Sequence, residues 1–368
     1  MCVLRADRCR ALFASLLLLF APLLAADTLR IGYVISRTVD DMFYGPVVAF
    51  MQQAANDLEV ELVVIEANDN HLQVADLVAE QLNGDHPLDA VIAVSVKESG
   101  ARILKVCEQA SVPLFIENSA ILDTAVGSPR QYFPWYIGEM LPDDEMAGYV
   151  LAKYLIQQSL INHPNHPATL VAISGPFGTS ASLEREKGLM RAVEEFPDTE
   201  LYQVVRANWE REKAQRAFEH LLKRYPDISA VWTASDGMAL GVADALEGMD
   251  DSQATILVGG VDWSLDGVEG VHQRVIQASA GGHFMEGAWA LISVHDYLKG
   301  HDFANSEGLK MKTDMSLLSA ENYQRYARLI EPATWSRIDF KRFSKVYNPQ
   351  LKNYDFSLPS VLRSVSEE

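Results

Sequence analysis

Aromatic rings, carboxylates and amides recur just after short apolar runs of the chain. Asp41, Phe43 and Tyr44 stand in TVDDMFY, Ser95 in SVKE, and Glu117 and Asn118 in ENSA. Further on come Trp209 in RANW, Ser235 and Asp236 in ASD, and Asp262 and Trp263 in VDW. Arg185 closes the glycine-bearing stretch ISGPFGTSASLER and brings a planar fork of donors. A sugar ring needs such a set. Its edge hydroxyls donate and accept, so carboxylates and amides serve as acceptors and arginine as donor, while flat aromatics cover its C–H faces. On this reading Asp41, Glu117 and Asp262 accept, Arg185 donates in a bidentate way, and Phe43, Tyr44 and Trp209 sandwich the ring. This is binding chemistry and breaks no bond.

Plainer roles stay open for the same residues. Phe43 and Trp209 fit first-turn core positions, Asp236 fits a first-turn acid favoured by the helix dipole, and Arg185 has Glu184 and Glu186 beside it to pair with. Catalytic patterns are weaker still. GPFGTS is neither GxGxxG nor GxxxxGK[ST], and no lysine follows to reach a phosphate. GxSxG, HExxH and CxxC are absent from the sequence. His163 and His166, in NHPNHP, lack acidic or cysteine neighbours and read as a solvated loop. No enzyme activity, cofactor or metal is expected.

The elements that must carry these residues alternate. LRIGYVIS, VELVVIEA, DAVIAV and VPLFI read as strands, with FYGPVVAFMQQAAN, LQVADLVAEQL and GARILKVCEQA as helices between them. The rhythm restarts after residue 168 with ATLVAIS, LYQVV, ISAVWTAS, TILVGGVD and VIQASAG. The fold class is therefore α/β, two doubly wound parallel-sheet lobes in succession. In such sheets ligands collect beyond the carboxyl ends of the strands, which is where the residues named above stand.

The chain of 368 residues opens with Arg5, Arg8 and Arg10, an uncharged apolar run from Ala11 to Leu24, and the small pair Ala25 and Ala26. That is the pattern of an export signal cleaved near Ala26, and the run is shorter than the ~20 residues of a membrane-spanning helix. Cleavage removes Cys2 and Cys9 and leaves Cys107, expected on the buried face of a helix, with no disulfide partner. A net charge of −19 suits neither nucleic acid nor an anionic membrane surface.

The blocks IGYVIS...DDMFYGPV, DAVIAVS, VPLFIEN, GTSASLEREKG, PDISAVWTASDGMALGVADAL and GGVDWSLDG resemble the type I periplasmic binding proteins of the ribose and galactose group, from about Leu29 to Thr313. The resemblance implies a three-segment hinge near Gly138, Gly281 to Gly282, and Lys312 to Thr313. It implies a first lobe of residues 27–138 plus 283–312 and a second of 139–282 plus 313–330, with 331–368 as an extension packed on the lobes or docking a partner. FMEGAWALISVHDYL would return to the first lobe and MSLLSAENYQRYARLI would end on the second.

Carried over by position, Asp41 stands where asparagine is common, followed by the aromatic pair Phe43 and Tyr44. Glu117 takes the place of an aspartate, Asn118 of an arginine and Ser235 of an asparagine, and Gly282 or His283 falls where glutamine is common. Arg185, Trp209 and Asp262 match the arginine, aromatic and aspartate of the second lobe. The resemblance implies a monomeric periplasmic receptor that closes on a sugar or polyol and presents it to an inner-membrane ABC importer. Sensory relatives imply the alternative of a receptor for a membrane histidine kinase or diguanylate cyclase, and an exported enzyme on the same fold is a remote third.

Overall fold

The computed structural model describes residues 28–247, 249 and 255–366; the expected export signal, with Cys2 and Cys9, lies outside the described residues. The chain begins with β1 (Arg30–Ile35), α1 (Tyr44–Leu58), β2 (Glu61–Glu66), α2 (Val74–Leu82), β3 (Ala90–Val94), α3 (Ser99–Ala110), β4 (Leu114–Glu117) and β5 (Tyr136–Pro142). It continues with α4 (Asp144–Asn162), β6 (Ala168–Ser174), α5 (Ser180–Glu195), β7 (Thr199–Arg206), α6 (Arg211–Arg224), β8 (Ala230–Thr233), α7 (Asp236–Leu246), β9 (Leu257–Asp262), α8 (Leu265–His272) and β10 (Ala278–Gly281). Last come α9 (Glu286–Leu298), β11 (Lys310–Thr313), β12 (Ser316–Ser319), α10 (Tyr323–Ile330) and α11 (Leu358–Ser366).

Two six-stranded sheets result, ordered β11-β5-β4-β3-β1-β2 and β12-β10-β9-β8-β6-β7. The first is parallel throughout; in the second, β12 alone runs antiparallel, against β10. Helices cover both faces of each sheet, so the central strands are apolar without alternation, and β3 and β6 are buried along their whole length. Cys107 is fully buried on α3, and burial pushes its thiol up to about 12, which keeps it protonated and inert.

The chain passes between the sheets three times. It leaves the first sheet after Pro142, beyond Gly138, because YIGEMLP forms a strand that holds Gly138 inside the sheet. It returns after Gly281, and it leaves again between Thr313 and Ser316. MSLLSAENYQRYARLI is not one element: its first part is β12 and its second α10.

Beyond α10 the tail lies along α1 and α9. Phe50 of α1 meets Phe284, Trp289, Trp335 and Phe340 edge-on, with ring centroids 5.4, 5.8, 5.3 and 5.2 Å away. Edge-to-face pairs of this kind contribute about 0.5–1.5 kcal/mol each beyond the area they bury. Phe343 is buried and Phe356 stacks on Trp289, while Tyr347 stays exposed.

Candidate functional site

Residues beyond the strand ends of both sheets line one cavity of about 720 Å³ between the lobes. From the first lobe come Asp41, Phe43, Tyr44 and Asn118, and from the second Arg185, Trp209, Ser235 and Asp262. His283, just past the second passage between sheets, completes the expected residues found there. Opposite the hinge the lobes touch. The Lys97 amide donates to the Gly178 carbonyl at 2.7 Å, and the Ala120 amide donates to Ser180 Oγ at 2.8 Å.

Arg185 organises the second lobe's wall. Gly148 of α4 lets α5 approach closely: a Cβ there would lie 2.0 Å from the Arg185 carbonyl oxygen. Arg185 is 3% exposed, and its side chain donates through Nε to Asp144 Oδ1 at 2.7 Å. Its Nη1 donates to the Ala234 carbonyl at 2.7 Å and to Asp262 Oδ1 at 3.1 Å. Nη2 lies 3.2 Å from His283 Nε2. A guanidinium only donates, so Nε2 accepts and a neutral His283 carries its proton on Nδ1, which has no partner among the described residues. These contacts use four of five N–H groups. The expected bidentate donation to a ligand is therefore corrected: Arg185 can offer one N–H and otherwise fixes Asp262, Asp144 and His283. Burial opposes the charge of Arg185, but Asp144 and Asp262 sustain it. Burial likewise pushes the Asp144 carboxyl up; since a guanidinium does not release its proton, the pair stands as an ion pair.

Asp236 lies behind that wall rather than on it. Its Oδ2 accepts from the Ser264 amide at 2.9 Å and the Ser264 hydroxyl at 3.1 Å, and its Oδ1 from Ser279 Oγ at 2.6 Å, tying the ends of β8, β9 and β10 together. Burial, then the nearby Asp262, pushes Asp236 up to about 8. Ser235 caps α7, accepting from the Met238 amide at 3.3 Å.

The glycine stretch after β6 also serves the cleft. A Cβ on Gly175 would lie 2.2 Å from the Trp209 indole, so glycine is needed there to seat that ring. Trp209 itself has φ +65°, after Asn208 at +55°. Of the twelve non-glycine residues with positive φ among the described residues, six line the cavity: Asp69, Lys97, Asn118, Asn208, Trp209 and Asp262. Backbone held in this sparsely populated region clusters where function demands it. Across the cleft, Phe43 stacks on His283 with centroids 5.0 Å apart and meets Tyr44 edge-on at 5.3 Å. Asp41 Oδ1 accepts the amides of Phe43 at 2.9 Å and Tyr44 at 3.1 Å, while Oδ2 pairs with Arg37 at 2.9 Å.

Besides Asp236, three strand-end residues singled out in the sequence stand outside the cavity lining; Trp263 is buried, its indole N–H donating to the Ser279 carbonyl at 2.9 Å. Glu117, the last residue of β4, is turned by the strand pleat toward Tyr33, whose hydroxyl donates to Oε1 at 2.7 Å. Burial pushes Glu117 up to about 7, opposed by that hydrogen bond. Ser95 is buried too, and its hydroxyl has no partner among the described residues. Sequence reasoning missed Arg37, Asp69 and Asn208, which line the cavity, and Asp144, which orients Arg185. The strand-end rule applied to β2 would have found Asp69; Asp144 carries no local signal, because its partner is 41 positions away. No cluster of three or more His, Cys, Asp or Glu suited to a metal occurs among the described residues.

The fold has counterparts among known proteins. A periplasmic sugar-binding protein from Pseudomonas fluorescens superposes with a TM-score of 0.80 at 31% identity, covering 91% of this chain and 99% of that one. The xylitol-binding protein of Mycolicibacterium smegmatis is 28% identical over 251 residues, 67% of this chain and 65% of that protein. The ribose import binding protein of Salmonella typhimurium is 25% identical over 257 residues, 70% of this chain and 79% of that protein. These relatives are binding proteins and not enzymes. Residues 31–302 match the family model described as the periplasmic binding protein domain, and with two parallel-sheet lobes of the type I arrangement the chain belongs to the periplasmic binding protein family.

Proposed function

We propose that the chain is an exported periplasmic receptor that captures a sugar or polyol in the interlobe cleft and hands it to an ABC importer. The observation that carries this is the cavity of about 720 Å³ whose polar groups and rings come from both lobes. Its size lies within the range of small-molecule sites. Trp209 and Phe43 offer faces to ring C–H groups, and Asp41, Asp262, Asn118 and Asn208 offer acceptors and donors to hydroxyls. A ligand that touches both walls has more contacts in the closed form than in the open one, and it shifts the hinge equilibrium toward closure by that difference. The named ligands of the relatives, xylitol and ribose, support a ligand of this class.

The test is calorimetry of the purified protein against pentoses, hexoses and polyols, paired with mass spectrometry of ligand carried through native purification. Saturable one-to-one binding that Trp209→Ala weakens by roughly thirtyfold is the expected result. Binding untouched by both Trp209→Ala and Asp262→Ala places the ligand elsewhere. Mass spectrometry of the N-terminus in periplasmic extracts tests export, with a start near Ala26 or Asp27 expected.

A further inference from the structure

A second cavity, of about 390 Å³, lies at the hinge, divided from the cleft by the second passage: Gly282 lines the hinge cavity and His283 the cleft. All three passages contribute to it, through Met140, Met285 and Met311 with Thr313. The tail closes it with the stretch from Tyr354 to Leu358. This part of the chain lies beyond the matched family region of 31–302.

Three features define what would fit. First, Glu286 at the start of α9 is 1% exposed; its Oε1 accepts from the Thr313 hydroxyl, while Oε2 has no partner among the described residues. Burial, then Glu117, push this carboxyl well up; an occupant carrying an ammonium donor restores the missing hydrogen bond and favours the ionised form. Second, the lining charge is acidic. Lys310 and Lys312 are held by Glu139 and Asp143, each at 2.9 Å, whereas Glu307 and Asp314 have no cationic partner among the described residues. Third, the wall includes three thioethers and the side chains of Trp289, Tyr354, Phe356 and Leu358, polarisable and apolar surfaces that suit an alkyl chain.

We propose that this hinge cavity is a second ligand site that takes a small organic ammonium ion, its charge on Glu286 and its alkyl part against the thioethers and rings. The occupant touches all three passages between the lobes. The proposal goes beyond the cleft reading and stands or fails independently of it.

The test is calorimetry and thermal shift on the full chain with 1,4-diaminobutane and butylammonium, and with butane-1,4-diol as the uncharged control. At least one cation binds once per chain and raises Tm, and the diol does neither. Glu286→Gln weakens that binding tenfold or more, while Trp209→Ala in the cleft leaves it within twofold. Should Glu286→Gln not fold, Asp314→Asn at the rim replaces it, with at least a threefold loss expected. Equal binding of diol and cations, no saturable cation binding, or cation binding lost in Trp209→Ala overturns the proposal. So does binding unchanged in Glu286→Gln or, where that variant does not fold, in Asp314→Asn.

Discussion

On the second lobe's wall the charged groups are fixed before any ligand arrives: Arg185 and Asp144 are nearly sealed from solvent, and Asp262 is held by Arg185. On the first lobe's wall, Arg37 bridges Asp41 and Asp69 at the solvent edge, and the Asp69 side chain is 76% exposed. The sealed network costs desolvation that its attraction only partly offsets, so its value is positional. The open triad costs little and can rearrange. The difference teaches a division of labour, in which the second wall presents a preset pattern and the first adapts as the lobes meet.

The sharpest way to break this contrast is Arg185→Ala. It leaves the Asp144 carboxylate buried without its partner, and removal of one member of a buried pair costs about 3–5 kcal/mol. Chemical denaturation should show that loss, and Arg185→Lys should not restore it, because a point charge cannot serve four separated acceptors. Trp209→Ala comes next. Its ring is half-buried, so folding changes little while ligand affinity falls by about 2 kcal/mol, roughly thirtyfold, by calorimetry.

Glu117→Gln probes a group behind the first wall. Its carboxyl rises from an ordinary 4.5 to about 7 in the folded chain, so its stabilising contribution is full below pH 4.5 and is lost as pH rises through about 7. The variant should flatten the fall of stability across that window by up to about 1.4 kcal/mol per pH unit and leave affinity unchanged, since Glu117 is absent from the cavity lining. The smallest effect is expected of Arg37→Ala, about 0.5 kcal/mol in stability, because its ion pairs are solvent-screened and Asp41 still caps α1. A loss matching that of Arg185→Ala would erase the distinction between the walls.

Much of this was legible in the sequence because strands buried on both faces leave uninterrupted apolar runs, and because ligands gather at strand ends. That rule placed Asp41, Asn118, Trp209 and Asp262 beside one cavity. It could not give side-chain direction: Glu117 ends its strand as required yet points inward to Tyr33. Nor could it reveal β11 and β12, whose short KMKT and SLLS segments are held in place by neighbouring strands more than by their own pattern. The role of Arg185 was hidden for a related reason. A fork of donors in sequence looks available, and only the folded chain shows Asp144, Ala234 and His283 occupying it.

Both walls are proposed to grip one polar ligand in the cleft. The most direct test is calorimetric titration of a pentose and polyol panel into the wild-type protein, Trp209→Ala from the fixed wall and Phe43→Ala from the adaptable one. At least one member should bind one to one, with affinity reduced in both variants and the larger loss in Trp209→Ala. A ligand bound equally well by all three proteins would contradict a two-walled grip.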